Sequence, residues 1–221
     1  MGSDFVWRLE DVLDLYALPY DPRFPQVCFD ERPVQLLADI VAALPLQPGQ
    51  ARRYDYEYKR KGTANLFVMC QPLTGWRTVK ATAHRKKIDF AICMRDLVDI
   101  HFPEAQQIRL VLDNLNTHSP AALYDAFPPD EARRILRKLD FHYTPKHGSW
   151  LNMAEIEIAI LSRQCLKQRI ATLDQLQRVV QWWTTQRNDL QAKINWCFDV
   201  SNARTKLARL YPSLDTIVAL H

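Results

Sequence analysis

The order of elements along the chain predicts an α/β domain: a mixed sheet covered on both faces by helices. Three observations lead there. The apolar runs "ANLFVMCQPL" (64–73) and "WRTVKATA" (76–83) are separated by "TG" and read as a hairpin. Two more apolar runs, "QVCFDE" (26–31) and "IRLVLDNL" (108–115), stand between stretches of helical spacing. "SWLNMAEIEIAILSRQCLKQ" (149–168) is long, periodic and strongly helical.

In chain order, Phe5, Leu9, Val12, Leu13 and Tyr16 fall on one face of a helix over 4–16. "ALPYDPRFP" then forms a Pro-rich connector that cannot be helix. After the strand 26–31, residues 32–63 lack a clean period and contain Pro33, Pro45, Pro48 and Gly49. They read as a basic excursion with one short helix near 34–43. The hairpin 64–83 leads to a helix over 87–101, with Ile88, Ala91, Ile92, Leu97 and Ile100 near one face. After strand 108–115, residues 120–139 hold helix broken at Pro128-Pro129, and "DFHYTP" (140–145) is a short strand. Helices follow over 149–168 and 173–191, with a further helical turn or two near the end. The chain thus divides into an N-terminal helix and linker (1–24), a main domain (25–195) with the excursion 32–63, and a C-terminal tail (196–221).

Composition bounds the function. With 221 residues, 48% of them apolar, the chain can bury a full core. Gly is scarce, at 5 residues, and neither G-x-G-x-x-G nor a Walker A loop occurs. Cys28, Cys70, Cys93, Cys165 and Cys197 form no C-x-x-C pair, so they read as reduced, buried thiols of a cytosolic protein rather than a zinc site. No apolar run reaches the length of a membrane span, and no signal peptide opens the chain. Net charge is only +4, but basic residues cluster in "ARRYDYEYKRKG" (51–62), "AHRKK" (83–87) and "NARTKLARL" (202–210). Such clusters, interleaved with Tyr, can bind a polyanion or can be plain solvated surface.

Three acids stand where pattern alone would not place them. Asp30 ends the first strand, Asp113 ends the fourth, and Glu155 lies among Met153, Ala154 and Ile156. A carboxylate buried without a partner costs several kcal/mol or shifts its pKa. In open α/β sheets, sites form beyond strand ends where the strand order switches. If the first and fourth strands are neighbours, Asp30 and Asp113 lie side by side. Oxygen-only ligation suits Mg²⁺ or Mn²⁺, and a pair of such ions about 3.5–4 Å apart serves in-line attack on a phosphodiester. Each acid also has a plainer reading: turn residues for Asp30 and Asp113, a salt-bridged helix surface for Glu155. Glu31 and Glu157 compete for the same roles. Glu155 is preferred because Asn152 lies three positions earlier on its face and could orient it, whereas Glu157 points about 200° away.

"CFDE", "LVLDNLNTH" and "HYTPKHGSWLNMAEIE" resemble the three catalytic blocks of DDE transposases, specifically bacterial insertion-sequence enzymes related to the mariner superfamily. The resemblance runs from "EDVLDLYALPYDP" to "ARTKLARLYP", and the third block is its most specific part. It implies a ribonuclease H-like sheet of order 3-2-1-4-5 with strand 2 antiparallel, and a catalytic and metal-binding triad of Asp30, Asp113 and Glu155. It implies Mg²⁺- or Mn²⁺-dependent cleavage at transposon ends and joining of 3′ ends to target DNA, in a cytoplasmic, nucleoid-associated bacterial enzyme. The partners implied are transposon-end and target DNA, with a homodimer compatible, and with no membrane or small-molecule substrate. Relatives carry an N-terminal helix-turn-helix region that reads the terminal repeats, and this chain starts where that region would end. The spacing from Asp113 to Glu155 exceeds that of compact mariner enzymes, which predicts an added surface helix around "YDAFPPDEARRIL".

Supporting roles follow. His118 could touch the scissile phosphate, hold Asp113, or be a satisfied structural His. Asn114 and Asn152 flank the acids. Lys146 and His147 could meet DNA phosphates at a helix N-terminus, with Ser149 as its cap. Arg52, Arg53, Lys59, Arg60 and Lys61 make the excursion a DNA or partner arm. Trp150 reads as core, and Trp182 and Trp183 as packing or a subunit contact. Two other readings stay open: a ribonuclease H-like host nuclease or resolvase, and a catalytically silent DNA-binding remnant.

Overall fold

The computed structural model describes residues 2–40, 57–115 and 117–212. Helix α1 (Ser3–Ala17) comes first, followed by β1 (Gln26–Asp39), β2 (Tyr58–Gln71) and β3 (Trp76–Thr82). Next are α2 (Lys87–Asp96), β4 (Ile108–Leu112), α3 (Ala121–Ala126), α4 (Pro129–Leu136) and β5 (Leu139–Tyr143). Helices α5 (Ala154–Gln164), α6 (Leu173–Asp189) and α7 (Val200–Lys206) complete the order. The five strands form one sheet, β3-β2-β1-β4-β5. β2 runs antiparallel to both its neighbours, and β4 is parallel to β1 and β5. This is the sheet order and the strand 2 direction that the sequence resemblance implies.

Strand alternation sends successive side chains to opposite faces, and the core divides accordingly. Val27, Phe29, Phe67, Met69, Leu110 and Leu112 pack on α2, α3 and α4. Cys28, Cys70 and Val111 face α1 and the approach to α5, while Leu66, Val68 and Val79 face α5 and α6. Asp30 therefore shares a face with Cys28, and Glu31 shares one with Phe29.

The hairpin turn depends on Gly75. Its φ is +77°, and a Cβ there would sit 2.5 Å from the Gln191 carbonyl carbon. Gln71 Oε1 accepts from the Thr74 amide at 2.6 Å and closes the turn.

Several expectations change. No helix forms at the start of 34–43: β1 continues as strand to Asp39, paired with β2 back to Tyr58. Pro33 is tolerated because β4 pairs only with Gln26–Cys28, so β1 is an edge by that point. The excursion thus begins and ends as a two-stranded ribbon, with a register shift between Leu36 and Leu37. Residues 41–56, with Arg52 and Arg53, lie outside the described residues. Asp30 is consequently mid-strand rather than at a strand end; it lies where β1 has outrun β4.

On α2 Phe90, Ala91, Cys93 and Met94 are buried, with Leu97 and Val98 buried just beyond it; Ala91 and Leu97 lie where the spacing puts them, whereas Ile88 and Ile100 are exposed. The large ring of Phe90 claims the core, and a π-helical turn over Leu97–His101 shifts the phase behind it. The 149–168 helix is shorter than its spacing suggests, since Ser149–Leu151 is a separate 3₁₀ turn before α5. The break at Pro128 stands, and α4 starts at Pro129, within the stretch "YDAFPPDEARRIL" between Asp113 and Glu155. Cys197 is exposed; the other four cysteines are buried free thiols. Among the described residues no helix is long and apolar enough to cross a membrane.

Candidate active site

β1 and β4 are parallel neighbours, with Cys28 level with Val111. Two residues further on, Asp30 and Asp113 leave the same end of the sheet. Asp30 is 7% exposed, and its Oδ1 accepts from the Glu31 amide at 2.7 Å. Asp113 lies in coil just beyond β4 with its side chain 28% exposed.

Glu155 comes from the first turn of α5, which Asn152 ties to β1. Asn152 is fully buried. Its Nδ2 donates to the Phe29 carbonyl at 2.7 Å and reaches Asp30 Oδ2 at 3.4 Å. Its Oδ1 accepts from the Ala154 amide at 3.1 Å, satisfying one of the free donors at the start of the helix. One amide side chain therefore fixes where α5 starts relative to Asp30.

Burial pushes the Asp30 carboxyl up to about 7, and the negative charges of Glu155 and Asp113 add to the rise. Asp30 therefore feels the charges of both other acids across the site. Among the described residues no three His, Cys, Asp or Glu side chains stand close enough to share one ion as placed. Glu155 is exposed, Asp113 is held through one oxygen by His118, and the charges of both act on the buried Asp30. An all-carboxylate set in which a buried member is destabilised by its neighbours' charge fits a hard divalent cation.

An acid with a folded pKa near 7 and an unfolded one of about 3.9 binds its proton more tightly when folded. Its contribution to stability is complete below about pH 4 and is lost as the pH climbs to about 7. Asp30→Asn is expected to remove that loss. Thermal melts without divalent metal would then show Tm at pH 8 raised by several degrees, at roughly 2–4 °C per kcal/mol, and unchanged at pH 4. A variant with the wild-type slope between pH 4 and 8 contradicts the assignment of that carboxyl.

His118 is fully buried, so of its expected roles it holds Asp113 and does not reach a phosphate. Its Nδ1 lies 2.5 Å from Asp113 Oδ1, and its Nε2 lies 3.6 Å from Glu31 Oε2. Burial opposes the charged imidazolium, but the Asp113 and Glu31 carboxylates outweigh it and lift its pKa to about 9. The competing acid Glu157 is fully buried and bound by Arg77 and Arg187, which removes it from the site. Sequence reasoning sees Glu31 only as a competitor for the ligand role; the signal for its contact with His118 is an acid on the apolar Phe29 face of β1, which demands a partner.

Asn114, Lys146, His147 and Ser149 line a cavity of about 370 Å³ together with Asp113, Thr144 and Pro145. Lys146 and His147 are exposed, and His147 has a left-handed φ of +64°. Ser149 makes no side-chain cap, and Asn152 does the tying instead. Lys59, Arg60 and Lys61 are exposed on the β2 half of the ribbon, where Arg169 Nη1 meets Asp39 Oδ1 at 2.6 Å. Trp150 is not core: it is 46% exposed, its ring edge-on to Phe198 at 5.6 Å. Trp183 is buried and donates to Gln164 Oε1 at 2.7 Å, whereas Trp182 is exposed.

The sequence profile described as DDE superfamily endonuclease matches residues 25–177. Among solved structures, the Mos1 mariner paired-end complex with Mn aligns with a TM-score of 0.57 at 14% identity, covering 87% of this chain and 58% of that one. The Mos1 strand transfer complex aligns at 0.59 and 12% identity, covering 86% and 55%. The Mos1 paired-end complex with Mg aligns at 0.53 and 15% identity, covering 86% and 57%. The chain thus spans a little over half the length of these proteins. Among curated proteins no relative matches.

Proposed function

Since the chain belongs to the DDE superfamily of endonucleases, we propose that it is the catalytic domain of a transposase, cutting DNA at transposon ends and joining the 3′ ends to target DNA. The observation that carries this reading is the arrival of Asp30, Asp113 and Glu155 at one end of the sheet from β1, β4 and α5. The Mos1 complexes, named for paired transposon ends and for strand transfer, support the direction.

Asp30, Asp113 and Glu155 would hold Mg²⁺ or Mn²⁺. When bound, such ions activate a water or 3′-hydroxyl and stabilise the leaving oxygen of an in-line displacement. The chain's own residues do the rest. Asn152 sets the distance between α5 and Asp30. His118 fixes one oxygen of Asp113. Lys146 and His147, beside the Asp113 cavity, meet the phosphates that flank the scissile bond. The ribbon with Lys59, Arg60 and Lys61 takes more distant phosphates, an interaction blind to sequence and weakened by salt.

A test combines a pre-cut DNA end bearing a 3′-hydroxyl with supercoiled plasmid and Mn²⁺. The expected result is covalent joining of that end to the plasmid. In a parallel binding measurement, replacing Lys59, Arg60 and Lys61 together with Ala should weaken DNA binding. Its log–log salt slope should fall by up to about 3, one for each phosphate that is no longer neutralised. Nicking without any joining would favour a ribonuclease H-like nuclease instead, and an unchanged salt slope would remove the ribbon from the DNA path.

A further inference from the structure

Asp113 has no regular structure to hold it, yet its carboxylate must keep one orientation if it is to ligate an ion. From the geometry, we propose that Glu31 is a positioning residue that holds Asp113 through His118. This inference rests on the metal-site reading above.

One hydrogen bond and two ion pairs link Asp113 to Arg85 through His118 and Glu31. Asp113 Oδ1 is engaged by His118 Nδ1 at 2.5 Å. His118 Nε2 faces Glu31 Oε2 at 3.6 Å, and Glu31 Oε1 meets Arg85 Nη1 at 3.0 Å. The His118 and Glu31 side chains are 0% and 2% exposed, so bulk water does not compete for the inner part of the chain. The imidazole cannot swing. Phe29 stands edge-on to it with ring centroids 5.1 Å apart, and Phe90 packs at the same distance on another side. The Tyr143 hydroxyl also donates to the His118 carbonyl at 2.9 Å, pinning the backbone.

Strand alternation explains why an adjacent acid can do this work. Asp30 points to the α5 face of the sheet, where the acids gather. Glu31, the next residue, points to the α2 face, under Phe29 and Phe90. It therefore reaches Asp113 from the far side of the sheet, through the ring, without joining the ligand set. With Oδ1 committed to His118, Oδ2 of Asp113 is the oxygen left for an ion. A ligand carboxylate oriented by an outer hydrogen bond, itself backed by a second carboxylate, is the arrangement whose outer members usually tune affinity by about 10–100-fold.

The test measures Mn²⁺ binding directly, by calorimetry and by the loss of the free-ion electron paramagnetic resonance signal, on the full chain. Glu31→Gln keeps the shape and removes the charge. The expected result is a Kd for Mn²⁺ raised roughly tenfold or more. Combining it with His118→Asn should weaken binding no further than His118→Asn alone, because both act on one carboxylate; a merely structural loss would add. If Glu31→Gln binds Mn²⁺ like the unaltered chain, the inference is overturned while the metal site stands. If the unaltered chain binds no Mn²⁺, both fall together. Should Glu31→Gln not fold, a crystal structure of the unaltered chain with Mn²⁺ decides. His118 still on Asp113 Oδ1 with Oδ2 on the ion supports the role, and a released His118 overturns it.

Discussion

Asp113→Asn is expected to abolish Mn²⁺-dependent nicking of plasmid DNA, with a loss of about a thousandfold or more, equivalent to roughly 4 kcal/mol of transition-state stabilisation. The substitution is nearly isosteric. An Asn Oδ1 can still accept from His118 Nδ1, so the loop after β4 keeps its anchor. What disappears is the negative charge beside Asp30 and the oxygen available to an ion. DNA binding should persist, since the groups proposed to meet phosphate, Lys146 and His147 beside the same cavity among them, are unaltered. Removing one neighbouring charge should also ease the ionisation of Asp30, whose pKa the Asp113 charge helps to raise. The checks are a nicking assay over a Mn²⁺ titration, a filter-binding or anisotropy measurement, and a thermal melt. Nicking at the wild-type rate would remove Asp113 from the chemistry.

The second large effect is on stability. Glu157→Gln should destabilise the chain by roughly 3–5 kcal/mol, because it breaks a buried ion network by taking out the anion at its centre. Glu157 is 0% exposed and Arg77 1% exposed, with Arg77 Nε 3.1 Å from Glu157 Oε2. Arg187 closes the network from α6 with its Nη2 3.0 Å from Glu157 Oε1. Arg77 also donates to the Ala192 carbonyl, and the Asn188 side chain bonds both the amide and the carbonyl of Arg77. At roughly 2–4 °C per kcal/mol, Tm should fall by about 6–20 °C. The double change Arg77→Met with Glu157→Leu should recover much of that loss, because a well-packed apolar pair can replace a buried ion pair. A melt within about 2 °C of wild type for Glu157→Gln would contradict the network's role. The same network fixes the rotation of α5, the helix that carries Glu155; a Glu157→Gln chain that still folds should nick more slowly.

Much of the fold is readable from residue order. Sheet order and strand directions follow from the resemblance of three short blocks, and α1, α6 and the Pro128 break follow from period and proline chemistry. Asp30, Asp113 and Asn152 are identifiable because each is polar beside an apolar run, and His118 by its place five residues after Asp113. The ribbon is not readable: Pro33 and a weak period argue against strand, and only the end of β4 pairing at Cys28 makes an edge strand acceptable there. Trp150 departs from its expected burial because a large aromatic in an apolar run usually packs, whereas here the 3₁₀ turn carries it outward. The roles of Glu31 and Arg77 depend on pairing across the fold, which no local pattern encodes. Nor does anything beyond helical phase set Glu157 apart from Glu155 until Arg77 and Arg187 stand beside it.

The central claim is that three acids from separate parts of the chain share one divalent-metal site. Anomalous diffraction from crystals soaked in Mn²⁺ tests it most directly. The expected result is manganese density bounded by the carboxylates of Asp30, Asp113 and Glu155, with His118 in contact with Asp113. Manganese bound elsewhere at saturating concentration, with no density bounded by these three carboxylates, would contradict it.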